Sequence, residues 1–306
     1  MIRIAMLGRS EGNGHPYSWS AIINGGYDEE MMKVCPFPII YEYLSGQPKE
    51  NLGITGAKVT HIWAEDKEEA QRIAKTSLIE NVVDDPEDVI GKVDAVIIAE
   101  DVGSRHLSLA LPFIKRNIPI FIDKPLTDNE EDLKVFVSFF RERRPILSSS
   151  SYRYAKEIEN LDREEVGKIL FIDGLINKSW EKYGVHCIEG LCQLMGYGIE
   201  EVYNLGDEKV NIVYIKYNDK RQAIVNVIYP AQISRYDIIG EKATKTILIS
   251  DSFYMFKRQL QTFVDFVRTG KFPYPPEETI EITKVIIAGI RSREKREPIK
   301  ISDILK

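Results

Sequence analysis

The sequence predicts an α/β chain: a doubly wound parallel sheet over residues 1–150, followed by an α+β domain with a large, open, antiparallel-rich sheet over 151–306. Three observations carry that prediction. In the first half, short apolar runs alternate with helical patterns, the rhythm of strand–helix–strand units around a parallel sheet. In the second half, strands follow one another and helices are grouped apart, the order of an α+β domain covered on one face. At 306 residues, 43% hydrophobic and 29% charged, the chain is long enough for two cores and has an ordinary globular composition.

Ile2 to Leu7 is the first strand, and it starts so near Met1 that no signal peptide is expected. Gly8-Arg9-Ser10-Glu11-Gly12-Asn13-Gly14-His15 follows, then a helix with Pro16 near its start and Gly25-Gly26 at its end. Strand, glycine-rich turn and helix is the setting in which backbone N–H groups and a helix N-terminus receive phosphate oxygens. The spacing is G-x-x-x-G-x-G, so the same residues also read as a plain tight turn. Residues 27–56, with Pro36, Pro38, Pro48 and several aromatics, form an irregular excursion that could be a lid, an oligomer contact or a packed surface loop.

Val59 to Ala64 is the second strand, closed by Glu65 and Asp66. These acids read as acceptors for ribose hydroxyls, and Asp66 equally as the N-cap of a helix from about Lys67 to Lys75. Asp94 to Ala99 is a further buried strand, leading through Glu100 and Asp101 to a helix with His106, Leu109 and Phe113. Ile120 to Ile122 is short and wholly apolar, as a strand buried on both faces would be. It ends in Asp123-Lys124-Pro125, where the proline stops the ladder and keeps Lys124 extended. At the carboxyl edge of a parallel sheet, where ligands bind, that lysine is a surface charge or a positioned catalytic group. Thr127 to Glu130 reads as a capping box for a helix carrying Leu133, Phe136, Val137 and Phe140 on one stripe. Ile146 to Ser151 is the last strand of this half.

Beyond it, Lys168 to Gly174 is a strand, Val210 to Tyr217 and Ala223 to Tyr229 form a hairpin across Asn218-Asp219, and Thr246 to Ser250 is another strand. Helices are expected near 184–195, 254–269 and 277–292. In the helix near 184–195, Ile188, Leu191, Cys192 and Met195 make the buried stripe. Lys182, His186, Glu189 and Gln193 make a separate polar line, so His186 and Glu189 project together. A histidine beside a carboxylate can act as a tuned base; an ordinary ion pair on a solvated face has the same spacing. Cys192 belongs to the apolar stripe, which argues against a zinc site with His186 and Cys187, and no metal is expected.

A net charge of −6 and a pI near 5.5 disfavour nucleic acid or an anionic membrane as partner. Three cysteines build no disulfide framework, and no apolar run approaches the length of a membrane span. A cytoplasmic protein is expected.

Four motifs together resemble the Gfo/Idh/MocA oxidoreductases: Asp94-Ala-Val-Ile-Ile-Ala with His106; Ile122-Asp123-Lys124-Pro125-Leu126; Gly184-Val185-His186-Cys187-Ile188-Glu189; and Pro276-Glu277-Glu278 through Ala288-Gly289-Ile290-Arg291-Ser292. The resemblance spans nearly the whole chain. It implies a Rossmann domain, a substrate domain with an open sheet that makes a homodimer or homotetramer, NAD or NADP as cofactor, and hydride transfer at a hydroxyl carbon of a sugar, nucleotide sugar or cyclitol. Carried over by position, it implies Lys124, His186 and Glu189 as catalytic residues, with His186 removing the alcohol proton and Lys124 stabilising the alkoxide. It implies cofactor contacts at Gly8, Ser10, Gly12, Asn13, Gly14, His15, Glu65, Asp66, Ala99, Glu100, Asp101, His106, Asp123 and Lys124. It implies substrate contacts at Lys124, Arg153, Lys182, Tyr183 and His186. Asp123 and Glu189 stand where the family usually has glutamate and aspartate, and Lys182 where many members have aspartate. A cofactor-binding sensor without chemistry, or an enzyme that oxidises transiently to epimerise or eliminate, are the competing readings.

Overall fold

The computed structural model describes residues 1–306. In chain order its elements are β1 (Ile2–Leu7), α1 (His15–Asn24), α2 (Glu29–Lys33), α3 (Pro38–Ser45), β2 (Ala57–Trp63), α4 (Lys67–Thr76), β3 (Asn81–Val82), β4 (Ala95–Ile98), α5 (Gly103–Lys115), β5 (Ile120–Ile122), α6 (Glu130–Arg141), β6 (Ile146–Ser148), α7 (Lys156–Glu159), α8 (Arg163–Val166), β7 (Ile169–Ile176), α9 (Val185–Met195), β8 (Ile199–Asn204), β9 (Val210–Tyr217), β10 (Gln222–Ile228), β11 (Arg235–Gly240), β12 (Thr244–Leu248), α10 (Ser252–Thr269), α11 (Pro276–Lys295) and β13 (Ile299–Lys300).

The first six strands form one sheet in the order β3-β2-β1-β4-β5-β6, and every pair in it is parallel. The order reverses between β1 and β4, so the turn after β1 opens at the switch point of a doubly wound sheet. The other seven strands form a mixed sheet, β12-β11-β7-β10-β9-β8-β13, in which β7 and β10 run parallel and the remaining pairs antiparallel. Both sheets are of the expected class. The strands β8 and β11 lie outside the expected set, because their burial alternates and no long apolar run marks them.

A single division at residue 150 does not describe the packing. One compact unit is Met1–Asp123 with Ser138–Ser148 and Phe256–Tyr274; the other is Lys124–Val137, Ser149–Met255 and Pro275–Lys306. The aromatic residues of α10 explain why its second part joins the first unit. Phe263 lies 5.7 Å from the Phe121 ring of β5, and Phe256 lies 6.0 and 6.1 Å from Trp19 and Tyr43.

The excursion after α1 is less irregular than its prolines suggest. Pro38 opens α3, where a missing N–H costs nothing, and Asp28 caps α2 by accepting the Met31 N–H at 2.9 Å. Met32, Cys35, Ile40 and Leu44 are buried, so the segment packs as part of the first unit. The capping box is also relocated. Helix α6 starts at Glu130, so Asn129 is its cap, accepting the Asp132 N–H at 2.9 Å, while Glu130 pairs with Arg291.

In the second unit, α9 lies close on the seven-stranded sheet. The Tyr236 hydroxyl donates to the Cys187 carbonyl at 2.9 Å, which it reaches because residue 190 has no side chain. A Cβ at Gly190 would stand 2.1 Å from the Tyr236 oxygen. Gly190→Ala is therefore expected to destabilise the protein by about 1–3 kcal/mol through overpacking, measured as a lower urea midpoint with unchanged m. No helix of the chain is long and apolar enough to cross a membrane.

Candidate active site

The turn after β1 is built by two glycines with left-handed backbone, Gly8 at φ +83° and Gly12 at φ +77°. A Cβ on Gly12 would meet no atom within 4 Å, so that side of the turn is open space. At Gly8 a Cβ would stand 3.0 Å from the Glu100 carboxylate beneath it. Gly14 is needed for another reason. A Cβ there would lie 2.6 Å from Ile40 and 2.8 Å from Phe37, so the packing of α3 requires glycine. The open cradle at Gly12 and the α1 N-terminus fit a dinucleotide's pyrophosphate.

Acids at the ends of β4 and β5 hold this turn. Ser10 donates to Asp101 at 2.6 Å and receives the Asp101 N–H at 3.1 Å. Asp123, buried, accepts from Asn13 at 3.1 Å and faces His15 Nδ1 at 2.6 Å. The His15 ring is stacked 4.2 Å from Trp19, with Phe256 edge-on at 5.2 Å. These contacts give Asp101 and Asp123 a share in fixing the turn. His106, also buried, donates through Nε2 to the Glu100 carbonyl at 2.9 Å and so shapes the bend after β4. Ala99 continues the ladder, its N–H donating to Leu7. Glu100 is wholly buried, and neither carboxylate oxygen has a hydrogen bond, although Arg105 Nε stands 3.2 Å from one of them. Burial pushes its carboxyl above the usual carboxylate range, with Arg105 and His106 pulling back.

At the end of β2 a cavity of about 220 Å³ is lined by Arg9, Ala64, Glu65, Asp66 and Glu69. Asp66 is the N-cap of α4, accepting the Glu68 and Glu69 N–H groups at 2.9 and 3.2 Å. Glu65 pairs with Arg105, and Glu69 stands 3.3 Å from Arg9 and 3.0 Å from Arg72. Arg9 also lies 5.6 Å over the Phe37 ring.

The second unit assembles a separate cluster around α9. Lys124, 3% exposed, has its ammonium 5.4 Å over the Tyr183 ring, and the same ring lies 5.2 Å from His186. Tyr183 thus brings the two expected proton-handling residues onto one aromatic surface. Lys178 approaches that ring as well, at 4.2 Å. Lys182 lies half-buried in a π-helical turn, Trp180–Gly184, ahead of α9, so it does not extend the polar line of the helix.

His186 and Glu189 are 7% and 2% exposed, which excludes an ion pair on a solvated face. Glu189 does not reach the histidine as its partner; it accepts the Ser150 N–H at 3.3 Å and the Arg153 Nε–H at 2.5 Å. At Nδ1 of His186 stands the Ser150 hydroxyl, 2.7 Å away. Arg153 also donates to Glu278 at 2.7 Å and to Tyr197 at 2.7 Å, so its guanidinium is embedded in a buried network. Burial raises the Glu189 carboxyl and Arg153 opposes that rise. Ser150 went unnoticed in sequence because four serines in a row read as a strand end; only folding brings one of them to α9. No group of three or more His, Cys, Asp and Glu side chains is arranged to hold a metal ion.

Residues 43–151 match the Gfo/Idh/MocA family model, described as an oxidoreductase family with an NAD-binding Rossmann fold. The glycine turn and most of the excursion lie outside the matched span. No curated protein matches the sequence. Among solved structures, the chain is similar to a probable dehydrogenase from Thermotoga maritima at 15% identity and TM-score 0.73, over 99% of this chain and 100% of that one. It is similar to a putative myo-inositol dehydrogenase from Sinorhizobium meliloti at 14% identity and TM-score 0.74, over 98% and 100%. It is also similar to scyllo-inositol dehydrogenase from Lactobacillus casei, a structure with NAD(H) and scyllo-inositol bound, at 16% identity and TM-score 0.73, over 99% of each chain. Residues 43–151 thus match a family model for NAD-binding Rossmann folds, and the chain as a whole has the two-sheet fold of these dehydrogenase structures.

Proposed function

We propose that the protein is an NAD(P)-dependent dehydrogenase of a polyol, sugar or cyclitol hydroxyl, with Lys124 and His186 as the side chains that meet the reacting oxygen. The observation that carries this reading is that buried Lys124 and buried His186 meet on the half-buried Tyr183 ring, since burying two ionisable groups costs stability and is characteristic of functional sites. Gly8, Gly12 and the α1 N-terminus would hold the pyrophosphate, and the cavity at Arg9, Glu65, Asp66 and Glu69 the adenosine ribose. A bound nicotinamide supplies the hydride acceptor or donor. Tyr183 carries the substrate ring or chain beside the two nitrogens. Nucleotide content of the purified protein, followed by a turnover screen with inositols, sugars and nucleotide sugars, tests the reading; nucleotide binding with no turnover would support the sensor instead.

The ribose cavity favours NAD(H) over NADP(H). Of its three carboxylates, Glu65 pairs with Arg105 and Glu69 with Arg9 and Arg72, which leaves Asp66 as the acid beside which a 2′-phosphate would add like charge. A kcat/KM for NAD at least about tenfold above that for NADP is expected, equivalent to about 1.4 kcal/mol of discrimination. Equal values would remove the assignment. The seven-stranded sheet leaves Ile212, Ile239 and Leu248 exposed on the face away from α9, which supports a homodimer or homotetramer joined through that sheet.

A further inference from the structure

The tautomer of His186 is set by the hydroxyl beside it. Ser150 is fully buried, and its Oγ lies 2.7 Å from His186 Nδ1. The same oxygen accepts the Tyr152 N–H at 3.0 Å. A serine hydroxyl has one proton and two lone pairs. With Tyr152 on one lone pair and solvent excluded, the hydroxyl proton has one acceptor within reach, the Nδ1 lone pair of His186. Were Nδ1 protonated instead, the hydroxyl would accept twice and its own proton would be a buried donor without a partner. That penalty disfavours the Nδ1–H form by roughly 5- to 150-fold.

We propose that Ser150 is a positioning residue that holds neutral His186 as the Nε2–H tautomer, so that His186 offers the substrate oxygen a hydrogen-bond donor and no proton-accepting lone pair. The surroundings keep the ring in this pose. Tyr152 and Tyr183 lie against it at 5.2 Å each, and Glu189 fixes the Ser150 backbone by accepting its N–H at 3.3 Å. The consequence for the reaction rests on the dehydrogenase reading. On oxidation of an alcohol, the hydroxyl proton passes to the amine of Lys124, and the O–H electron pair becomes the second C–O bond. A bound nicotinamide would take the carbon-bound hydrogen with its electron pair, while the His186 Nε2–H would stay hydrogen-bonded to the oxygen. Reduction runs the same transfers backwards. This exchanges the roles that the family resemblance assigns to the two residues.

The test is nitrogen NMR of the full chain carrying ¹⁵N-labelled histidine, without nucleotide, at a pH where the imidazoles are neutral. The chain has four histidines, and the His186 resonances are those lost in His186→Gln. The expected result is an unprotonated Nδ1 and a protonated Nε2 in the wild type. Ser150→Ala should move both resonances toward the average of the two tautomers, and Ser150→Thr, which restores a hydroxyl, should return them. A protonated Nδ1 in the wild type overturns the proposal even if neither variant folds, as do His186 resonances unmoved by Ser150→Ala. A wild type with the expected tautomer that oxidises no hydroxyl with NAD or NADP would remove the dehydrogenase reading and leave the Ser150–His186 assignment standing.

Discussion

Lys124→Ala is expected to lower kcat by about 10²–10⁴ while the protein still binds NADH, because the variant lacks the amine proposed to exchange a proton with the substrate oxygen. Lys124 is buried against Tyr183, so the truncation also leaves a void; Lys124→Met keeps most of the volume and should lose the same rate. NADH fluorescence titration separates the two effects, since the pyrophosphate and adenosine contacts assigned to the first unit remain intact. Turnover within threefold of wild type in both variants would end the role of Lys124. A parallel loss of NADH affinity would instead make the lysine a structural support of the nucleotide site.

Arg153→Met should be the most destabilising single change in the second unit, by about 3–5 kcal/mol, the usual result of removing one partner from a buried ion pair. The guanidinium holds Glu189 at 2.5 Å and Glu278 at 2.7 Å, so its loss leaves Glu189 buried with the Ser150 N–H as its remaining donor. The pH dependence follows from the direction of the Glu189 shift. Its carboxyl is already raised by burial, and Arg153 is the main influence lowering it. A carboxyl whose folded value lies above its unfolded one contributes stability at low pH and loses it as pH rises through the folded value. The variant, with that carboxyl raised further, should therefore lie closest to wild type near about pH 5 and fall away toward about pH 7.5. Adding Glu189→Gln to Arg153→Met should recover part of the deficit at neutral pH. Urea midpoints of wild type and the two variants at both pH values measure this, and a deficit independent of pH would show that Glu189 is not the group left uncompensated.

The way these residues came together shows which parts of the molecule were legible before folding. The β5 strand and its terminal lysine could be read directly, because a three-residue apolar run stopped by proline has few other solutions. The α9 stripe was equally plain, and Ile188, Leu191, Cys192 and Met195 are all buried. The polar line on the same helix was only half legible. Spacing showed that His186 and Glu189 share a side, but not that this side faces Ser150 and Arg153. Arg153 is a substrate contact only as the resemblance implies, and the carboxylates folded around it, Glu189 and Glu278, were not legible in the sequence. Gly14 read as part of a phosphate loop because its requirement comes from Phe37 and Ile40, more than twenty residues further along.

Taken alone, the sequence determined the class of each sheet, the turn after β1, the buried stripe of α9 and the presence of Lys124 at a strand's carboxyl end. These depend on periodicity and on the local stiffness of glycine and proline, which act over a few residues. Tertiary structure decided what each polar side chain is bonded to: Ser150 on His186, Arg153 on Glu189, Asp123 on the glycine turn. Those pairings join residues 36 or 110 positions apart. A buried donor or acceptor takes whichever partner the packed chain brings within 3 Å or so, and that choice does not exist until the chain is packed.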